Sequence, residues 1–202
     1  LVGNMANVAY TRCKAFRKHT DVEADVFVNE AEFDNPITNP DLDSEYHGEK
    51  VPWVKPILAP VSWFVPFGRR TIANHELRKT LQDYDLIESY CLQPSNVDEL
   101  GVPYISFATG SDLREMAFVP TRLGKRANRV FCSANLVLYH DEISILNAIE
   151  KLGLTRVKPY RHIVDPDFYK PNDSPQSKVL TIFHPTRLDW EIKGNDRLFK
   201  SF

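Results

Sequence analysis

The stretch Tyr104-Ile105-Ser106-Phe107-Ala108-Thr109-Gly110-Ser111-Asp112-Leu113-Arg114-Glu115 decides the fold. Tyr104 to Ala108 is a short run of β-branched, aromatic and small residues that follows Gly101-Val102-Pro103, and a run of that length bounded by turn residues reads as a buried strand. Its apolar residues do not alternate with polar ones, as expected of a strand covered on both faces in a parallel sheet. The strand ends in the turn cluster Thr109-Gly110-Ser111-Asp112, whose Ser or Asp can cap a short helix starting at Leu113. Ligands of open α/β sheets sit outside the carboxyl ends of the strands, so these four residues lie where a site is expected.

Working outward, strands and helices alternate. Leu1-Val2 reads as the end of a strand, followed by a tight loop, Gly3-Asn4-Met5-Ala6-Asn7, and an amphipathic helix from Val8 to Arg17. The chain is therefore expected to lack its initiator region. Ala24 to Val28 is the next strand, completing a βαβ unit. Between Asn35 and Pro66 six prolines and the aromatic residues Trp53, Trp63 and Phe64 mark a long irregular excursion, read either as a self-packed surface loop or as a wall over an acceptor pocket. A helix is expected over Thr71 to Leu81, and strands over Tyr84 to Tyr90, Gly101 to Ala108 and Arg126 to Cys132. Ile143 to Leu152 reads as a helix closed by Gly153, and Arg156 to Asp165 carries a further short strand.

The class is α/β: a Rossmann-like parallel sheet with helices on both faces. Residues 1–171 form this first domain and 172–177, Asn-Asp-Ser-Pro-Gln-Ser, form a linker. Residues 178–202 open a second, truncated Rossmann-like domain with the strand Val179 to Phe183.

Composition excludes several classes. With 202 residues, 43% hydrophobic and 26% charged, the chain is of ordinary globular make-up, and a net charge of -2 leaves no footprint for nucleic acid. Arg69-Arg70 and Lys125-Arg126 are only pairs, read as solvated surface. Cys13, Cys91 and Cys132 form no C-x-x-C pair and fit a reducing compartment, and no signal-peptide pattern is present, so the location expected is cytoplasmic. The G-x-G-x-x-G fingerprint and the P-loop are absent, and no Asp-x-Asp motif or His/Cys ligand spacing implies a metal.

Five stretches together resemble the group 1, or family 4-like, glycosyltransferases, which have the GT-B fold of two facing Rossmann-like domains. They are the Gly3-Asn4 loop; Gly101-Val102-Pro103 leading to Thr109-Gly110-Ser111-Asp112; Asn128-Arg129-Val130-Phe131-Cys132-Ser133, read as a strand; His162-Ile163-Val164-Asp165 with Phe168 and Pro171; and Phe183-His184-Pro185-Thr186-Arg187 followed by Lys193-Gly194-Asn195-Asp196. The resemblance implies a hexosyltransferase-like enzyme, retaining, that moves a sugar from a nucleotide-sugar donor to a glycan or lipid-linked acceptor in polysaccharide or glycoconjugate biosynthesis. It implies that Arg187 and Lys193 contact the donor diphosphate and that Gly3 and Asn4 close over it from the other domain. Fixed cations suit a departing nucleoside diphosphate, Arg as a two-pronged fork and Lys as a point charge. No cofactor is implied beyond the donor itself, and peripheral association with the inner face of the membrane stays open.

Where many members carry a His-containing turn, this chain has Thr109, Gly110, Ser111 and Asp112. Asp112 is the catalytic candidate, read either as a group that binds or deprotonates an acceptor hydroxyl or as a helix cap. His140-Asp141-Glu142 is read as surface chemistry, because adjacent residues do not face one point, and His162 as packed or capping. The Glu-rich donor motif of the family lies past the last residue, so the fragment is expected to have no turnover of its own. A non-catalytic binding module and a nucleotide-sugar epimerase are the alternatives.

Overall fold

Residues 1–2, 8–29, 51–57, 75–90, 92 and 96–163 are described by the computed structural model. All belong to the first of the two units into which the chain divides, Leu1–Pro166. The expected linker, the strand from Val179 and the helix start from Asn195 lie outside them, as does most of the proline-rich excursion.

Helix α1 is Val8–His19, followed by strand β1, Val26–Asn29, and strand β2, Val54–Ile57. Helix α2 covers 75–81 and precedes β3, Ile87–Tyr90. Then come β4, Tyr104–Phe107; the short α3, Ser111–Arg114; α4, Arg122–Ser133; β5, Leu136–Tyr139; α5, Ile143–Leu152; and β6, Val157–Pro159. Every strand pair is parallel: β1 with β2, β3 with β4, β4 with β5, β5 with β6.

Leu1 and Val2 form the seam that joins these pairs. Val2 bridges in parallel to Phe27 of β1 and to Ser89 of β3. Its N–H donates to the Glu88 carbonyl at 2.7 Å, and its carbonyl accepts from Tyr90 N–H at 2.9 Å. The order is thus β2-β1-(Leu1-Val2)-β3-β4-β5-β6, an α/β doubly wound sheet that reverses direction at the seam, where the crevice of such a fold opens.

Strand side chains alternate between two helix-covered faces, so the strands read as nearly unbroken apolar runs. Ala9, Tyr10 and Cys13 of α1 cover Val26, Val28, Tyr90, Phe107 and Leu138. On the other face Leu77 and Leu81 of α2, Val130 and Phe131 of α4, and Ile145 and Ile149 of α5 cover Phe27, Ile87, Tyr104 and Val137. Gly153 closes α5 in the left-handed conformation, φ 63°, as its sequence position predicts.

Two expectations are corrected. The stretch Arg126 to Cys132, read as a strand from Val130-Phe131-Cys132, is the body of α4. Its buried residues, Gly124, Ala127, Val130 and Phe131, recur at helical spacing, and Thr121 Oγ1 accepts the Gly124 N–H at 3.1 Å as the amino cap. The strand of this unit is Leu136–Tyr139, immediately after it. The second correction is β2, which lies inside the region read as irregular because of its prolines. Pro56 sits opposite Val28 on a strand that pairs only with β1 among the described residues, and an edge strand tolerates the missing N–H. Trp53, just before β2, is buried and stacks on Tyr10 at 4.8 Å, which anchors this edge to α1.

Candidate functional site

β4 delivers the turn Thr109-Gly110-Ser111-Asp112 to the carboxyl edge of the sheet. Gly110 has φ 137°, a value that a side chain strains against, although a Cβ there would meet only open space. Asp112 is 5% exposed and its carboxylate organises the turn. Oδ1 accepts the N–H groups of Gly110 and Leu113, both at 2.9 Å, and of Thr109 at 3.1 Å; among the described residues Oδ2 receives only Thr109, through N–H at 3.2 Å and hydroxyl at 3.3 Å. Burial pushes the Asp112 carboxyl up from its ordinary value, and these loop hydrogen bonds counter it in part. Ser111 is exposed and Thr109 half-buried, so the turn presents hydroxyls while the carboxylate faces its own backbone.

A second constellation lies on the α1 face. Glu88, in the middle of β3 and 6% exposed, is gripped by Arg12 of α1: Nε lies 2.8 and 3.0 Å from its two oxygens and Nη2 2.8 Å from Oε1. Tyr90 Oη donates to Glu88 Oε2 at 2.9 Å. Burial works to lower the Arg12 pKa, but the bonds to Glu88 outweigh it and the group is held further up. The buried Tyr90 hydroxyl is also pushed well up, first by burial and then by the Glu88 charge.

From this ion pair a chain of rings runs to the carboxyl edge. Tyr90 stacks on Phe107 at 4.7 Å, and Phe107 meets Tyr160 edge-on at 4.6 Å and His140 at 5.8 Å. His140 and His162 lie 4.4 Å apart, and the Arg12 guanidinium lies 5.2 Å from the Tyr160 ring centre. Partial loss of hydration at the otherwise exposed His162, then the neighbouring His140, lowers its pKa.

Of the sequence-predicted residues, the structure groups Thr109, Gly110, Ser111 and Asp112 on one turn. Gly3, Asn4, Arg187 and Lys193 lie outside the described residues. The tripeptide His140-Asp141-Glu142 splits as adjacent residues must: His140 turns into the ring cluster, while Glu142 takes Arg114 at 3.2 Å and Ser144 at 2.6 Å. Sequence reading passed over Arg12, Glu88, Tyr90 and Tyr160. One signal was available: a glutamate in an otherwise buried strand needs a cation, and Arg12 lies one turn into the helix that follows the seam.

Among the described residues no group of three or more His, Cys, Asp or Glu could hold a metal ion. No described helix is long and apolar enough to cross a membrane. A cavity of about 120 Å³ lined by Phe131, Ala134, Gly153 and Arg156 lies at the opposite, amino end of β5 and β6.

No family model matches the chain, and no curated protein matches it in sequence. Among solved structures it is similar to the plant UDP-glycosyltransferase UGT73P12 of Glycyrrhiza uralensis, crystallised in complex with glycyrrhetinic acid 3-O-monoglucuronide. The identity is 14% and the TM-score 0.40, over 75% of this chain and 44% of that one. The chain thus spans less than half the length of the structure it matches.

Proposed function

We propose that the chain is the acceptor-side domain of a retaining, nucleotide-sugar-dependent glycosyltransferase, with the start of its donor-side domain. The observation that carries this reading is the doubly wound sheet whose order reverses at Leu1-Val2, with the organised Thr109–Asp112 turn two strands away at the same carboxyl edge. The motifs around Arg187 and Lys193 supply the donor half of the argument. In the reaction the anomeric bond to the leaving diphosphate breaks, the acceptor oxygen bonds the anomeric carbon, and its proton passes to a base. Asp112 can reach an acceptor hydroxyl only through Oδ2, since Oδ1 already accepts three amides. Its principal role in this reading is positioning: it sets the turn so that Ser111 and Thr109 meet the acceptor.

Peripheral docking on an anionic membrane belongs to the same reading. What supports it is a patch at the amino end of α4 where Phe118, Val119 and Leu123 are 42%, 43% and 36% exposed beside Arg122 and Lys125. Co-sedimentation with phosphatidylglycerol vesicles, lost on Phe118→Ser with Leu123→Ser, is expected; equal sedimentation of that variant would remove membrane docking from the proposal.

One observation favours a non-catalytic binding module instead: the Asp112 carboxylate is buried and bonded to its own loop, Oδ1 by three amides and Oδ2 by Thr109. The test for both is release of nucleoside diphosphate by the parent protein over a panel of nucleotide sugars, beside Arg187→Ala and Lys193→Ala. Transfer that falls by two or more orders of magnitude in both variants supports the transferase. A folded parent that turns over no donor supports the module.

A further inference from the structure

Three segments leaving the sheet meet through their rings. Phe107 ends β4, His140 follows β5, and Tyr160 and His162 follow β6. The closest contact among them is the imidazole pair, 4.4 Å between centroids with the planes tilted by 36°, His162 exposed and His140 half-buried. Two neutral imidazoles, or one neutral and one charged, are stable at that spacing. Two imidazolium ions repel each other there.

Among the described residues Glu142 lies within electrostatic reach of His140, and the charge acting on His162 is that of His140. From α1, Arg12 brings a further cation over Tyr160. From β3, Glu88 is occupied by Arg12 and Tyr90. Ahead of α5, Asp141 is exposed and Glu142 is already bonded to Arg114 of α3 and to Ser144. β6 and its exit add two more cations, Lys158 and Arg161.

We propose that His140 and His162 form a proton-operated contact that holds residues 160–163 against Phe107 while at most one imidazole is charged, and releases them when both are. The lowered pKa of His162 agrees in sign. A histidine that binds its proton less well when folded contributes stability above its ordinary value of 6.5, and that stability is lost as pH falls through the folded value. The released backbone has a direct reporter, because Tyr160 N–H donates to the Tyr139 carbonyl at 2.7 Å, the last bond of the β5-β6 ladder. The inference concerns the folded unit and stands apart from the transferase reading.

The test is a proton–carbon NMR titration of the six histidines of the whole chain from pH 8 to 4.5, assigned with His140→Gln and His162→Gln, beside amide-exchange protection of Tyr160. His162 is expected to titrate below the ordinary histidine value, from partial desolvation and the neighbouring His140. Removing His140 should move the His162 midpoint up. Protection at Tyr160 should fall about tenfold between pH 7 and pH 5 relative to Val137, as it does when a local contact opens ahead of the fold, and should stay flat in His162→Gln. A His162 midpoint that does not move in His140→Gln, or a low-pH loss of Tyr160 protection that persists in His162→Gln, would overturn it. Since His162 is exposed, its substitution leaves the core intact.

Discussion

Arg12→Met tests whether the buried ion pair is as physically consequential as its geometry implies. The substitution keeps an apolar stem against Phe16 but strands Glu88, whose side chain is 7% exposed and retains one donor, the Tyr90 hydroxyl. Removing one member of a buried pair typically costs about 3–5 kcal/mol. The expected loss is therefore about 3–5 kcal/mol at pH 7. With a urea m-value of about 2 kcal/mol/M for a unit of this size, the midpoint falls by about 1.5–2.5 M. Arg12→Met with Glu88→Leu should recover most of the difference, since an apolar pair replaces a buried ion pair at little or no loss. Urea unfolding at pH 7 followed by circular dichroism decides it. A single variant within about 1 kcal/mol of wild type, or a double variant no better than the single one, would refute the reasoning.

Three further outcomes are expected. Asp112→Ala leaves the amides of Thr109, Gly110 and Leu113 without their acceptor and should cost about 2–4 kcal/mol in thermal or urea unfolding, with Asp112→Asn losing less because its carbonyl oxygen still accepts. Gly124→Ala places a Cβ 2.0 Å from the Val119 carbonyl oxygen and 2.8 Å from that of Met116, backbone atoms that cannot swing away, so it should cost more than about 3 kcal/mol, against about 1–2 kcal/mol for Gly153→Ala at its left-handed cap. Asp25 is desolvated yet held below its ordinary pKa, because Lys55 at 2.6 Å and the Tyr84 hydroxyl outweigh burial. Its stabilisation is present above pH 3.8 and lost as pH falls through the lower folded value, so Asp25→Asn should flatten that part of the acid-unfolding curve and leave the region above pH 6 parallel to wild type.

What was legible in the sequence was what depends on neighbours along the chain. The run Tyr104 to Ala108, the α1 periodicity and the Gly153 stop each rest on residues within a few positions of one another, and each was found. The exchange of α4 for a strand has the same local origin: Val130-Phe131-Cys132 favours a strand by propensity, while the helical evidence is spread over Thr121, Gly124 and Ala127. β2 was hidden because proline is a strong breaker anywhere except on an edge, and an edge is a property of the assembled sheet. The site divides in the same way. The Thr109–Asp112 turn is local and was found, although the role of Asp112 turns on amides only the folded loop aims at it. The Arg12-Glu88 pair spans 76 positions, and the His140-His162 contact joins two strand exits, so neither has a spacing that a reader could test.

The two faces of the sheet are chemically unequal. The face under α2, α4 and α5 is filled by Leu, Ile, Val and aromatic residues, sufficient to hold the strands in register. The α1 face carries the carboxylate of Glu88 into a strand next to the seam, a placement that stabilises the fold no better than a leucine pair would. Its connections give it another consequence. Arg12 holds Glu88 and lies over Tyr160; Tyr90 bonds Glu88 and stacks on Phe107; Phe107 meets both Tyr160 and His140. These contacts close a circuit between α1 and the exits of β4, β5 and β6, so a rotation of α1 cannot occur without moving rings at the carboxyl edge. Close-packed rings and a bidentate ion pair transmit such a shift rather than absorb it. The apolar face holds the strands in register, and the charged face joins the helix that follows the seam to the ring cluster at the carboxyl edge.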